Sequence, residues 1–140
     1  MAIRQLSVFL ENKKGTLHEI TDILADAGID LRTMCIADTA DYGIVRIIAS
    51  DPTRAQKVLA EADHVSSVRK VNAFVVPDTP GGLSKALSLL ETNGVNIEYL
   101  YALTIAEAGK ACAVMRTGDT ERADEILTAN GIELLGEDTL

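Results

Sequence analysis

The sequence repeats itself at a fixed spacing of 66 residues. Gly28-Ile29-Asp30-Leu31 returns as Gly94-Val95-Asn96-Ile97, and the same spacing relates Gly15 to Gly81. Further along, Asp51-Pro52-Thr53-Arg54-Ala55 is echoed by Asp119-Thr120-Glu121-Arg122-Ala123 at a spacing of 68, which a slightly longer hairpin in the second copy explains. An ordered set of matches indicates a duplicated structural unit. We therefore predict two domains of one fold, residues 1–70 and 71–140.

Hydrophobic spacing predicts the same order of elements in both copies: strand, helix, strand, strand, helix, strand. The predicted strands are 3–10, 31–37, 44–49 and 65–71 in the first copy, and 71–76, 98–105, 111–116 and 132–135 in the second. Helices are predicted from Thr16, from Pro52, over 82–93 and from Asp119. This βαββαβ order is typical of the ferredoxin-like α+β fold, with both helices on one face of an antiparallel sheet ordered 4-1-3-2.

A unit of about 70 residues has a marginal core on its own, which favours association of the two copies. The 4-1-3-2 order places the second strand of each copy at a sheet edge, and both of these strands are apolar. Exposed apolar edges are prone to aggregate. We therefore expect the two second strands to pair side by side and to form one sheet of eight strands.

Charge and composition exclude several classes of function. The chain carries a net charge of −8, which disfavours a nucleic acid or an anionic membrane as partner. The N-terminus lacks the apolar segment of a signal peptide, and Cys35 and Cys112 have no CxxC spacing, so we expect a cytoplasmic protein with free thiols. His18 and His64 lack a partner at metal-ligand spacing, so neither a metal nor a cofactor is expected.

Two motifs carry a resemblance to a known family. Asp78-x-Pro80-Gly81-x-Leu83, followed by a helix and Gly94-Val95-Asn96-Ile97, closely resembles the signature of the ACT domain. The first copy, Glu11-Asn12-Lys13-Lys14-Gly15-Thr16-Leu17, is similar but has Lys14 where the family usually has Pro. Both copies together span nearly the whole chain, which resembles the stand-alone tandem ACT proteins.

The resemblance implies a regulatory module that binds a free amino acid or a related small metabolite between paired domains. In the family, one domain offers the turn before its first helix and the other the start of its second strand. The implied ligand-binding residues comprise turn positions in each copy and one second-strand position in each: Leu10, Asn12, Gly15, Thr16 and Asp30, with Val76, Asp78, Gly81, Gly82 and Asn96. The family often has a polar residue where Leu10 and Val76 stand.

The two implied sites differ in charge. If the copies pair across their second strands, one site combines Asn12, Lys13, Lys14 and Gly15 with Asn96, and the other combines Asp78, Gly81 and Gly82 with Asp30. Charge alone predicts that the first favours a zwitterion or an acidic side chain. The second, with two carboxylates, should suit a cationic group or hold one protonated Asp.

Plainer interpretations stay open beside the ligand-binding one. Asn12 and Asp78 could cap the helices that follow them, and Asp30 and Asn96 could form turns after the helix-ending glycines. In function, the chain could be an adaptor, or a trans-acting regulatory subunit of an amino-acid biosynthetic enzyme, with vestigial sites. A small ferredoxin-like isomerase or lyase is a further alternative, whereas our main expectation is a homodimeric sensor that is not an enzyme.

Overall fold

The structure, a computed structural model, describes residues 2–38, 41–103, 105 and 107–140. Thr39 and Ala40 of the first predicted hairpin turn, and Thr104 near the end of a predicted strand, lie outside the described residues. The chain divides into two compact units. The first unit is Arg4–Arg69, and the second contains Lys70–Leu140 together with Ile3.

The first unit follows the predicted order of elements. Its elements are β1 (Ile3–Glu11), α1 (Thr16–Asp26), β2 (Leu31–Asp38), β3 (Tyr42–Ala49), α2 (Pro52–Glu61) and the first part of β4 (Ser66–Pro77). β3 pairs antiparallel with both β1 and β2. The strand order β2-β3-β1-β4 is the predicted 4-1-3-2 arrangement. The ferredoxin-like fold of this unit is therefore confirmed.

The second unit repeats this arrangement from the second part of β4 onward. It contains α3 (Gly82–Thr92), β5 (Ile97–Leu103), β6 (Lys110–Thr117), α4 (Thr120–Ala129) and a short 3₁₀ helix, Glu137–Thr139. β6 pairs antiparallel with β4 and with β5. The last predicted strand, 132–135, forms only a single bridge, between Leu134 and Phe74.

The sheet has six strands in the order β2-β3-β1-β4-β6-β5, rather than the eight that we expected. The predicted strands 65–71 and 71–76 run together as β4 because neither glycine nor proline separates them. Residues 132–135 do not form a strand, so two of the eight are lost. The expected pairing of the second strands with each other was also wrong, because β2 pairs with β3, β5 pairs with β6, and each ends the strand order.

Each unit has its own apolar core between helices and sheet. In the first unit, Val8 and Ile47 from the sheet pack with Ile20, Leu24 and Leu59 from the helices. In the second unit the core is formed by Phe74, Val76 and Met115 of the sheet with Leu90 and Leu127 of the helices. The apolar stripes that the sequence predicted for these helices therefore face the sheet, as required for helices packed on one face.

Equivalent hydrogen bonds confirm the duplication. The Asp51 carboxylate accepts from the Arg54 N–H at 3.0 Å, and the Asp119 carboxylate accepts from the Arg122 N–H at the same distance. After the second helix of each unit, the His64 N–H donates to the Leu59 carbonyl and the Ile132 N–H donates to the Leu127 carbonyl. These pairs keep the spacing of 68 that the sequence shows, so His64 and Ile132 occupy equivalent positions.

A buried polar network is a feature of the second unit. Asn72 is fully buried, and its amide donates to the Asp124 carboxylate at 2.6 Å and to the Thr120 carbonyl at 2.8 Å. The Thr117 hydroxyl donates to the Asn72 side-chain oxygen at 3.3 Å. The equivalent position in the first unit is Leu6, which belongs to the apolar core. The second unit therefore joins β4, β6 and α4 through polar contacts.

We predict that Asn72→Leu lowers the free energy of unfolding by about 2–3 kcal/mol, because it removes the amide donor from buried oxygens. The double variant Asn72→Leu/Asp124→Leu should recover most of this loss, since apolar replacement of both partners is often nearly neutral. Urea unfolding of the full chain measures both values. A double variant that is less stable than the single one would contradict this account.

Candidate ligand-binding site

The turn that leads into the first helix has the same geometry in both units. Gly15 is the N-cap of α1 with φ 90°, and Gly81 is the N-cap of α3 with φ 84°. Both angles lie in the left-handed region that favours glycine. The first-turn N–H groups of a helix have no acceptor within the helix, and a glycine N-cap supplies no side chain to accept them. The N–H groups of Thr16 and Gly82 already donate to the carbonyls of Lys13 and Thr79, so the backbone donors that each helix start presents are those of the next two residues.

A cavity of about 310 Å³ lies beside this turn in the first unit; we call it the His64 pocket. It is lined by residues from the end of β1, the start of α1, the turn after α2 and the first residue of β3: Phe9, Leu10, Glu11, Lys13, Thr16, Glu19, Tyr42, Asp63, His64 and Val65. The Phe9 N–H donates to the Val65 carbonyl at 3.0 Å, which holds the turn after α2 against β1. All of these residues belong to the first unit.

A cavity of about 350 Å³ occupies the equivalent place in the second unit; we call it the Ile132 pocket. Its lining comes from β4, α3 and the turn after α4: Val75, Val76, Pro77, Gly82, Lys85, Ala86, Leu89, Asn130 and Ile132. The Val75 N–H donates to the Glu133 carbonyl at 2.9 Å, matching the bond between Phe9 and Val65. The duplication has therefore preserved a cavity at the same place in both units.

Four of the ten predicted ligand-binding residues line these cavities. Leu10 and Thr16 line the His64 pocket, and Val76 and Gly82 line the Ile132 pocket. Asn12, Gly15, Asp78 and Gly81 lie on the exposed turns beside the cavities. Because the N-caps are Gly15 and Gly81, neither Asn12 nor Asp78 is the N-cap residue, so the simplest form of the capping interpretation does not hold.

The second-strand positions lie outside both cavities. Asp30 and Asn96 are exposed and directly precede β2 and β5. The Asp30 backbone N–H donates to the Ser50 hydroxyl at 3.0 Å, and its carboxylate lies 2.7 Å from the Arg32 guanidinium. We predicted the charge of this position from Asp30 alone, whereas the structure places the Arg32 guanidinium beside its carboxylate.

Several lining residues of the His64 pocket were missed by the sequence argument. Glu19 lies three residues after Thr16, which places both on the same side of the helix start. The His64 ring is mostly buried, with its side chain 14% exposed, and its Nε2 lies 3.5 Å from Glu19 Oε1. That nitrogen is enclosed and has no hydrogen-bond partner. Helical spacing could have indicated Glu19, whereas His64 is brought there only by the fold.

Other chemistries find little support in the described residues. Across the described ranges, no group of three His, Cys, Asp or Glu residues is placed to hold a metal ion. Cys35 and Cys112 are free thiols, and burial raises the pKa of Cys112 to about 11, which keeps it protonated at neutral pH. Within the same ranges, every helix is too short or too polar to cross a bilayer.

Comparisons with known proteins agree with this geometry. The sequence matches the family described as an ACT domain pair over residues 1–140. A solved structure, protein BT0572 from Bacteroides thetaiotaomicron, is 40% identical with a TM-score of 0.90, over 96% of this chain and 92% of that chain. No curated protein matches the chain.

Two more distant structures share the fold. The regulatory subunit of aspartate kinase from Thermus thermophilus, in a ligand-free form, is 13% identical with a TM-score of 0.67, over 91% of this chain and 92% of that one. The corresponding subunit from Thermus flavus is 16% identical with a TM-score of 0.60, over 90% of each chain. The chain itself belongs to the ACT domain pair family. ACT domains are regulatory rather than catalytic modules.

The two turn glycines should respond differently to substitution. A Cβ at Gly81 would meet open space, so Gly81→Ala should cost only the strain of a positive φ, about 1–2 kcal/mol. A Cβ at Gly82 would overlap the carbonyl oxygen of Pro77, so Gly82→Ala should add a backbone shift and cost about 3 kcal/mol in total. Thermal unfolding of both variants measures the difference. Equal losses would mean that the turn relaxes freely.

Proposed function

We propose that this chain is a regulatory module that binds a free amino acid or a related small metabolite at the turns before α1 and α3. The main support is that each unit has a cavity of 310–350 Å³ beside this turn, at the small end of the range for ligand sites. Each cavity adjoins the start of a helix whose N-cap is a glycine. A cavity beside the same turn in both units gives each unit room for a small ligand.

The chemistry of the turns fits an amino acid. Its carboxylate needs donors, and the N–H groups of a helix start favour an anion. Its ammonium needs acceptors, which the exposed side chains of Asn12 and Asp78 offer on the turns.

A regulatory role in trans is consistent with the comparisons. The structures from the two Thermus species are described as regulatory subunits of aspartate kinase, and about nine-tenths of each is covered by this chain. We propose that this chain likewise acts on an enzyme of amino-acid metabolism rather than carrying out catalysis itself. The Asp30 carboxylate is engaged by Arg32, which does not favour an acid–base pair of Asp30 with Asp78. The two free thiols fit a cytoplasmic location.

We also propose that the chain forms a homodimer through β2. This strand ends the strand order, and its Ile36 side chain is exposed. An apolar side chain on an end strand favours pairing with another chain. The equivalent position on β5 in the second unit is Ala102, which is also exposed but small.

Sedimentation equilibrium tests the dimer. We expect the unmodified chain to sediment at twice its mass of 15.0 kDa. Ile36→Lys should sediment as a monomer, because it places a charge in the interface, whereas Ala102→Lys should leave the mass unchanged. A monomeric unmodified chain, or a dimer that survives Ile36→Lys, would contradict dimerisation through β2.

An adaptor with vestigial ligand sites is the second candidate function. The observation that favours it is the exposure of four large hydrophobic side chains in the first unit, namely Phe9, Ile36, Tyr42 and Val65. Exposed apolar groups of this kind often mark contacts with another protein. An adaptor would not require a small ligand for its stability, which separates it from a sensor.

A thermal unfolding screen against the twenty amino acids distinguishes the two functions. Binding to the native state alone stabilises it by about 2.7 kcal/mol at one hundred times Kd, so a ligand should raise Tm by several degrees. The D-enantiomer of any hit is the control for nonspecific stabilisation. Asn12→Ala and Asp78→Ala then show which turn takes the ligand. No shift with any amino acid at millimolar concentration would reject the sensor and favour the adaptor.

A further inference from the structure

We infer that the two cavities have diverged, and that the His64 pocket alone binds an α-amino acid with an aliphatic or aromatic side chain. This inference rests on the proposed function and adds the class of ligand and the unit that takes it. It also assigns a role to Glu19 and to the turn after α2, which lie outside the residues that the sequence indicated.

The charges around the His64 pocket fit an ammonium group and disfavour an acidic side chain. Three carboxylates line the cavity, those of Glu11, Glu19 and Asp63. Its lysine, Lys13, lies 3.2 Å from Glu11 Oε2, which leaves an excess of negative charge. The expectation of an acidic ligand had counted the lysines of this turn but not Glu19 or Asp63.

In the His64 pocket we assign the ammonium to Glu19 rather than to Asn12, because Glu19 lines the cavity and Asn12 does not. The Glu19 carboxylate lies 3.5 Å from the enclosed Nε2 of His64. The imidazole lies beside this carboxylate, without a hydrogen bond between them. A ligand carboxylate can lie at the opposite end, near Lys13 and the first-turn N–H groups of α1. The pocket thus offers complementary charge to both ends of a zwitterion.

Apolar side chains form the remainder of the wall. Phe9, Tyr42 and Val65 line the cavity and are 52%, 66% and 68% exposed. They are three of the four large hydrophobic side chains that are exposed in the described part of the chain. Their concentration at one small cavity that also holds charged groups favours a small ligand with an apolar side chain, which would cover them.

The Ile132 pocket lacks these features. At the positions equivalent to Phe9, Tyr42 and Val65 the second unit has Val75, Ala108 and Glu133, so the aromatic side chains are absent and one apolar position carries a charge. Lys85 replaces Glu19 and Ile132 replaces His64. Lys85 is the one charged side chain among the described lining residues, so no carboxylate lines this cavity.

Isothermal titration calorimetry of the full chain tests the inference, with leucine and phenylalanine as ligands. Both should bind, whereas glutamate should not. Isocaproate, which lacks the amine of leucine, should bind at least about ten-fold more weakly than leucine, because it loses a charge-assisted contact. Glutamate binding as tightly as leucine would overturn the inference.

Paired variants locate the site. Glu19→Gln and Val65→Glu should each weaken leucine binding by about ten-fold or more, the first by removing charge and the second by introducing the residue that stands in the second unit. Glu121→Gln, an exposed change in the first turn of α4, and Glu133→Val are matched controls that should stay within about two-fold. Glu19 and Val65 are exposed, so both variants should fold, which an unchanged circular dichroism spectrum verifies.

The outcomes separate this inference from the proposed function. An affinity for leucine that is unchanged by Glu19→Gln and by Val65→Glu would overturn the inference while leaving amino-acid sensing intact. Equal losses for Val65→Glu and Glu133→Val would also overturn it, because the two pockets would then be equivalent. If none of the twenty amino acids gives binding heat in calorimetry or a shift in Tm, both the inference and the proposed function are rejected.

Discussion

Each cavity exists because the chain, after its second helix, is held against its first strand by a backbone hydrogen bond. In the first unit the Phe9 N–H donates to the Val65 carbonyl, and in the second the Val75 N–H donates to the Glu133 carbonyl. These bonds place the turn after the helix opposite the start of the first helix. The space between them is the cavity. Any residue on that turn, such as His64 or Ile132, is therefore placed in the wall whatever its chemistry.

This constraint explains how one fold can hold two different sites. The backbone bonds and the turn glycines are common to both units and keep the cavity in place. The side chains around it are free to vary, because most of them lie outside the two apolar cores. Asp63, with φ 62°, has a left-handed backbone conformation although it carries a side chain, and the second unit has Gly131 at the equivalent position. The side chains that line the cavities therefore differ between the units, whereas the backbone bonds and the turn glycines are the same in both.

The sequence was sufficient for the order of elements in the first unit but not for the total number of strands. The starts of α1 at Thr16 and of α2 at Pro52 depend on local signals and were predicted correctly. The continuity of β4 depends on the absence of a turn near Val71, where a strand boundary had been inferred from the repeat alone. The predicted eighth strand, residues 132–135, did not form, because this segment makes only one bridge. Whether a segment pairs as a strand depends on tertiary contacts.

The candidate site was predictable only in part, for a similar reason. Turn residues such as Leu10, Thr16 and Gly82 belong to a recognisable sequence motif, and they line the cavities as predicted. His64 and Val65 lie about 50 residues away in sequence, and only the fold brings them there. A residue close in sequence was also missed. Arg32, two residues after Asp30, alters the electrostatics of the Asp30 carboxylate, but the charge prediction had considered Asp30 alone.

The central claim is that two units of one fold carry unequal pockets. The number of leucine molecules bound per chain at saturation tests it most directly, by equilibrium dialysis with labelled leucine. This account predicts one molecule per chain. Two molecules bound per chain with equal affinity would contradict it, because the second pocket would then accept the same ligand without a carboxylate for its ammonium.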